Sequence, residues 1–140
     1  NNLIKEVSNS DSIKPEVFFD KETRFDFLLE KNKQKIFFEV KNVTLHRDKE
    51  IAEFPDAVTS RGSKHLKTLI TAIKKGYKSY LLFLVQIQGV ENFKIAKDID
   101  KEYYKNYLLA KKAGVVFLAY RCKINSKEIK IEQKIKIINA

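Results

Sequence analysis

The chain of 140 residues has one cysteine, two prolines, four glycines, and neither tryptophan nor methionine. A single thiol, Cys122, excludes an internal disulfide and points to a reducing, cytoplasmic setting. No apolar run approaches the ~20 residues of a membrane-spanning helix, and no signal-peptide pattern is visible. Methionine is missing even at residue 1, so the expectation is that the natural chain begins further upstream. No internal repeat, linker or low-complexity tract interrupts the sequence.

Positive charge is what the chain has in excess. Twenty-eight lysines and arginines stand against eighteen acids, a formal balance of +10. Such a surplus favours polyanions, nucleic acid above all, although lysine-rich composition also occurs in proteins that bind nothing acidic. The length suits one domain with a substantial core.

The densest information lies in residues 24–41, RFDFLLEKNKQKIFFEVK. Residues 24–29 and 36–43 alternate as strands do, and the polar stretch between them reads as a hairpin turn centred between Asn32 and Lys33. Antiparallel partners then sum to 65, which sets Asp26 opposite Glu39. Side chains alternate faces, so Glu39 and Lys41 share one face while Phe38 and Val40 take the other. Opposed Cβ atoms lie roughly 5 Å apart, where like charges repel. Two carboxylates and a lysine in an otherwise apolar hairpin form either a divalent-metal site or a satisfied internal ion cluster. Mg²⁺ or Mn²⁺ suits the first, held by Asp26, Glu39 and the carbonyl of Val40. The string Asp-x12-Glu-x-Lys is weak by itself. Glu-x-Lys recurs at Glu128/Lys130 and Glu132/Lys134, there without an aspartate a dozen residues upstream.

Along the rest of the chain, residues 2–8 read as a short helix carrying Glu6, and residues 17–20 as a strand. Residues 44–47 and 51–54 form a second small hairpin. Residues 54–65 read as a polar loop, followed by a helix through Leu66, Leu69, Ile70 and Ile73 that stops at Gly76. Residues 80–85 are a buried strand, and strand–helix–strand order implies a right-handed crossover. Asp100 caps a second helix that runs to Ala113 and stops at Gly114. Residues 115–120 are another buried strand, residues 125–127 a turn, and residues 128–132 and 134–138 edge strands. The architecture expected is α/β: a single domain with a mixed, partly parallel sheet and helices on its faces.

Asp56, Arg61, Lys64 and His65 crowd the segment entering the first long helix. Free N–H groups with adjacent cations suit a phosphate, and Gly62 allows close approach; an ordinary helix cap with solvated charges fits as well. Arg61 offers a bidentate fork, Lys64 a point charge, and His65 either a general acid or a structural ring. Glu6 and Glu16 either approach the carboxylate pair or are solvated surface residues. Gln86 either touches the site or caps its strand. Tyr103, Tyr104 and Tyr107 read as helix packing, Cys122 as a small buried side chain, and His46 has no identifiable partner.

Taken in order, RFDFLLE, FFEVKNVTL, FPDAVTSRGSKHL, LLFLVQ and AGVVFLAYRC resemble the sugar fermentation stimulation protein A family across nearly the whole chain. The resemblance implies a PD-(D/E)XK nuclease-like domain over residues 1–140, with the family's OB-like N-terminal domain absent from this chain. It implies Asp26, Glu39 and Lys41 as the core of the site and raises Glu6 as the helix-borne acid of the nuclease pattern. It also implies DNA as partner and a link to regulation of sugar-utilisation genes. The expectation is therefore a metal-dependent phosphodiesterase site. In it Asp26, Glu39, Lys41 and Glu6 act at the chemistry, Arg61, Lys64 and His65 on nucleic acid, and Glu16, Asp56 and Gln86 around them. The alternative is a DNA-binding regulator whose nuclease-like site is inactive.

Overall fold

The structure, a computed structural model, describes residues 10–124 and 129–139. The expected helix over residues 2–8, with Glu6, and the turn at 125–127 lie outside them. In chain order the elements are β1 (Ser12–Phe18), β2 (Arg24–Lys31), β3 (Gln34–Val43), β4 (Leu45–Asp48), β5 (Ile51–Phe54), α1 (Ser60–Lys74), β6 (Lys78–Val85), β7 (Asn92–Ile95), α2 (Lys101–Ala113), β8 (Val116–Ile124) and β9 (Ile129–Ile137). They build one mixed sheet in the order β1-β2-β3-β6-β8-β9-β7-β5-β4.

β2 and β3 pair with the register the turn dictates: Phe27 faces Phe38 and Leu28 faces Phe37. Asn32 and Lys33 both take left-handed backbone angles, φ 53° and 65°. That is the type I′ geometry whose twist matches two antiparallel strands. β3, β6 and β8 then run parallel, with Glu39 beside Leu81 and Leu81 beside Phe117. Each connection carries a helix, and successive strands add in the same direction. Crossovers of one hand therefore put both helices on the same face. The helices expected on the sheet's faces thus cover one face. α1 and α2 contribute Leu66, Leu69, Ala72, Tyr103, Tyr107 and Ala110 to a core shared with Phe25, Phe37, Leu81 and Phe83. Among the described residues the opposite face of the sheet carries a separate cluster around Leu29, Ile36, Phe38, Leu82 and Leu118, to which neither helix contributes.

The helix expectations hold in the main. Asp100 caps α2 by accepting from the Tyr103 N–H at 3.0 Å, and Gly114 ends it at φ 111°. α1 begins earlier than its apolar residues do. Thr59 caps it, so Arg61, Lys64 and His65 stand on helix rather than loop. Two strand expectations need correction, and one strand, β7, was not expected. β9 is one continuous strand, not two edge strands. It lies inside the sheet, antiparallel to β8 and parallel to β7. Its alternation of charged and apolar residues reflects one solvated face, which an interior strand of this sheet also has. β7 is too short for a pattern to show, and β1 starts earlier, at Ser12, on an exposed edge that tolerates Pro15.

Gly62 is required by packing. A Cβ there would lie 2.8 Å from Thr59 Cγ2 and 3.0 Å from Tyr103 Cε1. Tyr103 is fully buried and cannot yield cheaply. Gly62→Ala is expected to cost about 1–3 kcal/mol by overpacking. Chemical denaturation should show it, and a midpoint equal to wild type would contradict this close packing.

Candidate metal and phosphate site

The regular pairing of β2 with β3 stops at Phe27 and Phe38. One step further the strands are joined through side chains. The Asp26 N–H donates to Glu39 Oε1 at 3.2 Å, and the Val40 N–H donates to Asp26 Oδ2 at 2.7 Å. The opposition of Asp26 and Glu39 inferred from the turn is thus present. Glu39 and Lys41 share the strand face of Phe37 and so face the helix layer, where His65 of α1 meets both.

α1 reaches this position through a relay of caps. The Thr59 hydroxyl accepts from the Gly62 N–H at 2.9 Å, and the Thr59 N–H donates to Asp100 Oδ2 at 2.8 Å. Asp100 thereby ties the starts of both helices together. His65, buried on the second turn of α1, places Nδ1 2.9 Å from Glu39 Oε2 and 3.0 Å from Lys41 Nζ. Lys41 Nζ is 3.6 Å from the same Glu39 oxygen. One nitrogen cannot serve both neighbours at once. Protonated, Nδ1 donates to Glu39; unprotonated, it accepts from Lys41.

The electrostatics follow from burial and proximity. Burial first, then the hydrogen bond to Glu39, pushes the Asp26 carboxyl up to about 6. Burial acts on Glu39 in the same direction. It is outweighed by the hydrogen bonds with His65 and Asp26 and the Lys41 charge, which together hold Glu39 below the usual carboxylate range. Burial lowers Lys41 and the charge of Arg61 adds to that, while Glu39 opposes both. The two carboxylates therefore keep one proton between them into mildly acidic pH. The folded state holds the Asp26 proton up to about 6, whereas an unfolded chain releases it near 3.8. Stability contributed by Asp26 thus falls as pH rises between those values, and Glu39, being depressed, contributes in the opposite sense. The melting temperature of Asp26→Asn minus that of wild type should rise from about pH 4 to about pH 6 and then level off. A difference that stays constant with pH would contradict the coupling.

Among the described residues no group of three or more His, Cys, Asp or Glu side chains converges as a metal cluster. The donor set the structure brings together is a pair of carboxylates, Asp26 and Glu39. It fits a hard divalent cation, because two carboxylates joined across neighbouring strands bring oxygen donors and negative charge to one place.

The other candidate residues fall into two groups. Arg61 is exposed on the first turn of α1 and close enough for its charge to act on Lys41. Lys64 is also exposed and reaches Glu22 Oε2 at 2.6 Å. Asp56 is exposed in the loop before α1. Two candidates are drawn elsewhere. Glu16 sits on the edge strand, 3.9 Å from Arg24. Gln86 donates to Asn42 Oδ1 at 2.8 Å, on the strand face turned away from Glu39. His46 meets the Lys49 carbonyl at 3.0 Å, and Cys122 is buried with its thiol pushed up by burial. Tyr103 and Tyr107 are buried core residues, as expected of helix packing.

Sequence reasoning passed over one acid cluster. Glu53 is 2 % exposed and clamped by Arg47, whose Nε donates to Glu53 Oε2 at 2.8 Å and Nη1 to Asp98 Oδ2 at 2.8 Å. The signal was a lone glutamate in the apolar run IAEF. Its contacts tie β4, β5 and the segment after β7 together.

No helix among the described residues is long and apolar enough to cross a membrane. Residues 1–128 match the family described as sugar fermentation stimulation protein RE domain. A sugar fermentation stimulation protein homolog of Pelagibacter ubique (strain HTCC1062) is 85% identical over all 140 residues, which make up 60% of that protein. The homolog of Pseudoalteromonas atlantica is 41% identical over 137 residues, covering 96% of this chain and 58% of its own. The chain thus spans somewhat over half the length of these curated relatives. A solved structure, Pyrococcus furiosus SfsA in complex with Ca²⁺, superposes with a TM-score of 0.81 at 31% identity, covering 89% of this chain and 53% of that one.

Proposed function

The chain belongs to the sugar fermentation stimulation protein family, and from that premise and the geometry of Asp26, Glu39 and Lys41 we propose a divalent-metal-dependent phosphodiesterase site of PD-(D/E)XK type acting on DNA. The observation that carries the reading is the opposition of two carboxylates, one with a raised pKa, with a lysine 3.6 Å from one of them at the start of a basic helix. That the related Pyrococcus furiosus protein was solved with Ca²⁺ supports a hard cation here.

Asp26, Glu39 and the Val40 carbonyl would hold Mg²⁺ or Mn²⁺. When bound, the ion supplies Lewis-acid stabilisation of phosphate charge and acidifies a water. Lys41 orients the attacking water or steadies charge developing on the phosphoryl oxygens. His65 holds the Glu39 carboxylate in position. Arg61 grips a flanking phosphate with its fork, and Lys64 adds a point charge once it leaves Glu22. These contacts read backbone rather than base, so sequence preference is expected to be slight.

The test is incubation of the protein with labelled DNA and Mg²⁺ or Mn²⁺, beside Asp26→Asn. Metal-dependent cleavage lost in the variant supports the reading. Salt-sensitive binding with no cleavage under any metal would replace it with that of a DNA-binding regulator whose site is unused.

A further inference from the structure

α1 contains no acidic residue at all. Arg61, Lys64, Thr71 and Lys75 recur at intervals of three, seven and four, so they line one stripe of the helix, and Lys67 and Lys74 lie beside it. All six are exposed. The stripe starts next to His65, and thus beside the carboxylate pair. It runs about 21 Å, at ~1.5 Å per residue, to the C-cap at Lys75. Lys75 is held there with its ammonium 5.2 Å from the centre of the Phe19 ring. At that end a cleft of about 420 Å³ opens, lined by Asn32, Lys33, Gln34, Lys35, Lys75 and Tyr77 among others, without an acid. Two of its lysines belong to the β2–β3 hairpin, the same hairpin that carries Asp26 and Glu39 at its other end.

We propose that α1 is a phosphodiester track that leads from the Asp26–Glu39 pair to a lysine-lined phosphate cleft at the tip of the β2–β3 hairpin, so that the substrate is an extended nucleic-acid backbone gripped at two separated points. This rests on the phosphodiesterase reading and specifies its substrate. The length of the track matches about six successive phosphates of one strand at ~3.4 Å axial rise each. A mononucleotide or a small diester reaches only one end. Among the described residues Glu22 pairs with the track through Lys64, and that exposed pair exchanges for a phosphate at little cost; Asp100 and Glu102 line the recess beside Lys64 and Lys67 on the flank toward α2. The cleft adds a second grip because Lys33, Lys35 and Lys75 converge from two elements that the fold holds together.

The experiment compares two variants of equal charge. Lys33→Gly/Lys35→Gln/Lys75→Gln empties the cleft, and glycine at 33 suits the φ of 65° there. Lys105→Gln/Lys111→Gln/Lys112→Gln removes as much charge from exposed positions of α2. Duplex DNA binding is measured against salt, and the Mn²⁺-induced rise in melting temperature is measured in both. The cleft variant should lower the salt slope by about 2–3 and weaken binding about tenfold or more, since each phosphate contact contributes about one unit of slope. The α2 variant should change binding less than about twofold. Equal losses in both variants, or no loss in the cleft variant, would overturn the track. The Mn²⁺ response should be retained in both variants. Its absence from wild type would instead sink the carboxylate reading, whatever the DNA result, so the two failures are told apart.

Discussion

Glu39→Gln should abolish metal-dependent cleavage and leave a folded protein. Glu39 is 3 % exposed and is the centre of the site: it accepts from the Asp26 N–H and lies within 3 Å of His65 and within 4 Å of Lys41. The amide keeps the shape and can still meet Asp26 and His65, so packing changes little. What it removes is the second negative charge and a hard oxygen donor. Loss of a group that merely orients a metal ligand costs about 10–100-fold in metal affinity. Glu39 is proposed as a ligand itself, so more than about 100-fold is expected, measured as the Mn²⁺ concentration giving half-maximal cleavage. With the neighbouring charge gone, the Asp26 carboxyl should move down from about 6 but stay above its ordinary 3.8, because burial, the larger cause, remains. Cleavage that survives with unchanged metal dependence would remove Glu39 from the site.

Lys41→Ala separates an enzyme from a binder. Its side chain is 16% exposed and pairs with Glu39 and His65, so it belongs to the site and not to the solvated surface. In the proposed mechanism it acts on water or developing charge rather than on the metal. Turnover should fall about 10²-fold or more, the scale of losing one positioned catalytic group, while Mn²⁺ still stabilises the fold. If Lys41 were one cation among many, DNA affinity would drop modestly and turnover in proportion. If it served only to offset the repulsion between Asp26 and Glu39, the variant would melt early until metal was supplied. The three outcomes differ in one set of measurements.

How much of this was legible in the sequence depends on how local the cause was. The hairpin register was, because a two-residue turn at Asn32–Lys33 fixes which residues oppose each other, and with it the Asp26–Glu39 pair. α2 was legible at both ends, because Asp100 and Gly114 carry the capping chemistry themselves. The start of α1 was not. The buried positions of its first turns are Gly62, Ser63 and His65; Gly62 packs on Tyr103 and His65 meets Glu39 rather than an aliphatic core, so apolar periodicity begins only at Leu66. β9 read as an edge because charge alternation reports a solvated face, and only the pairing of distant segments shows that β7 lies beyond it. The contact of His65 with Lys41, 24 positions apart, needed the crossover of α1 over β3. The displacement of Gln86 to the opposite face likewise depended on its bond to Asn42, 44 positions away.

The central claim is that Asp26 and Glu39 bind a divalent cation, and thermal melting with and without Mn²⁺ tests it most directly. Ligand at 100 times its Kd stabilises a native state by about 2.7 kcal/mol, roughly 5–10 °C for a domain of this size. The account predicts a rise of that order for the wild-type protein and none for the Asp26→Asn/Glu39→Gln double variant. An unchanged wild-type melting temperature at millimolar Mn²⁺, or an equal rise in the double variant, would contradict it.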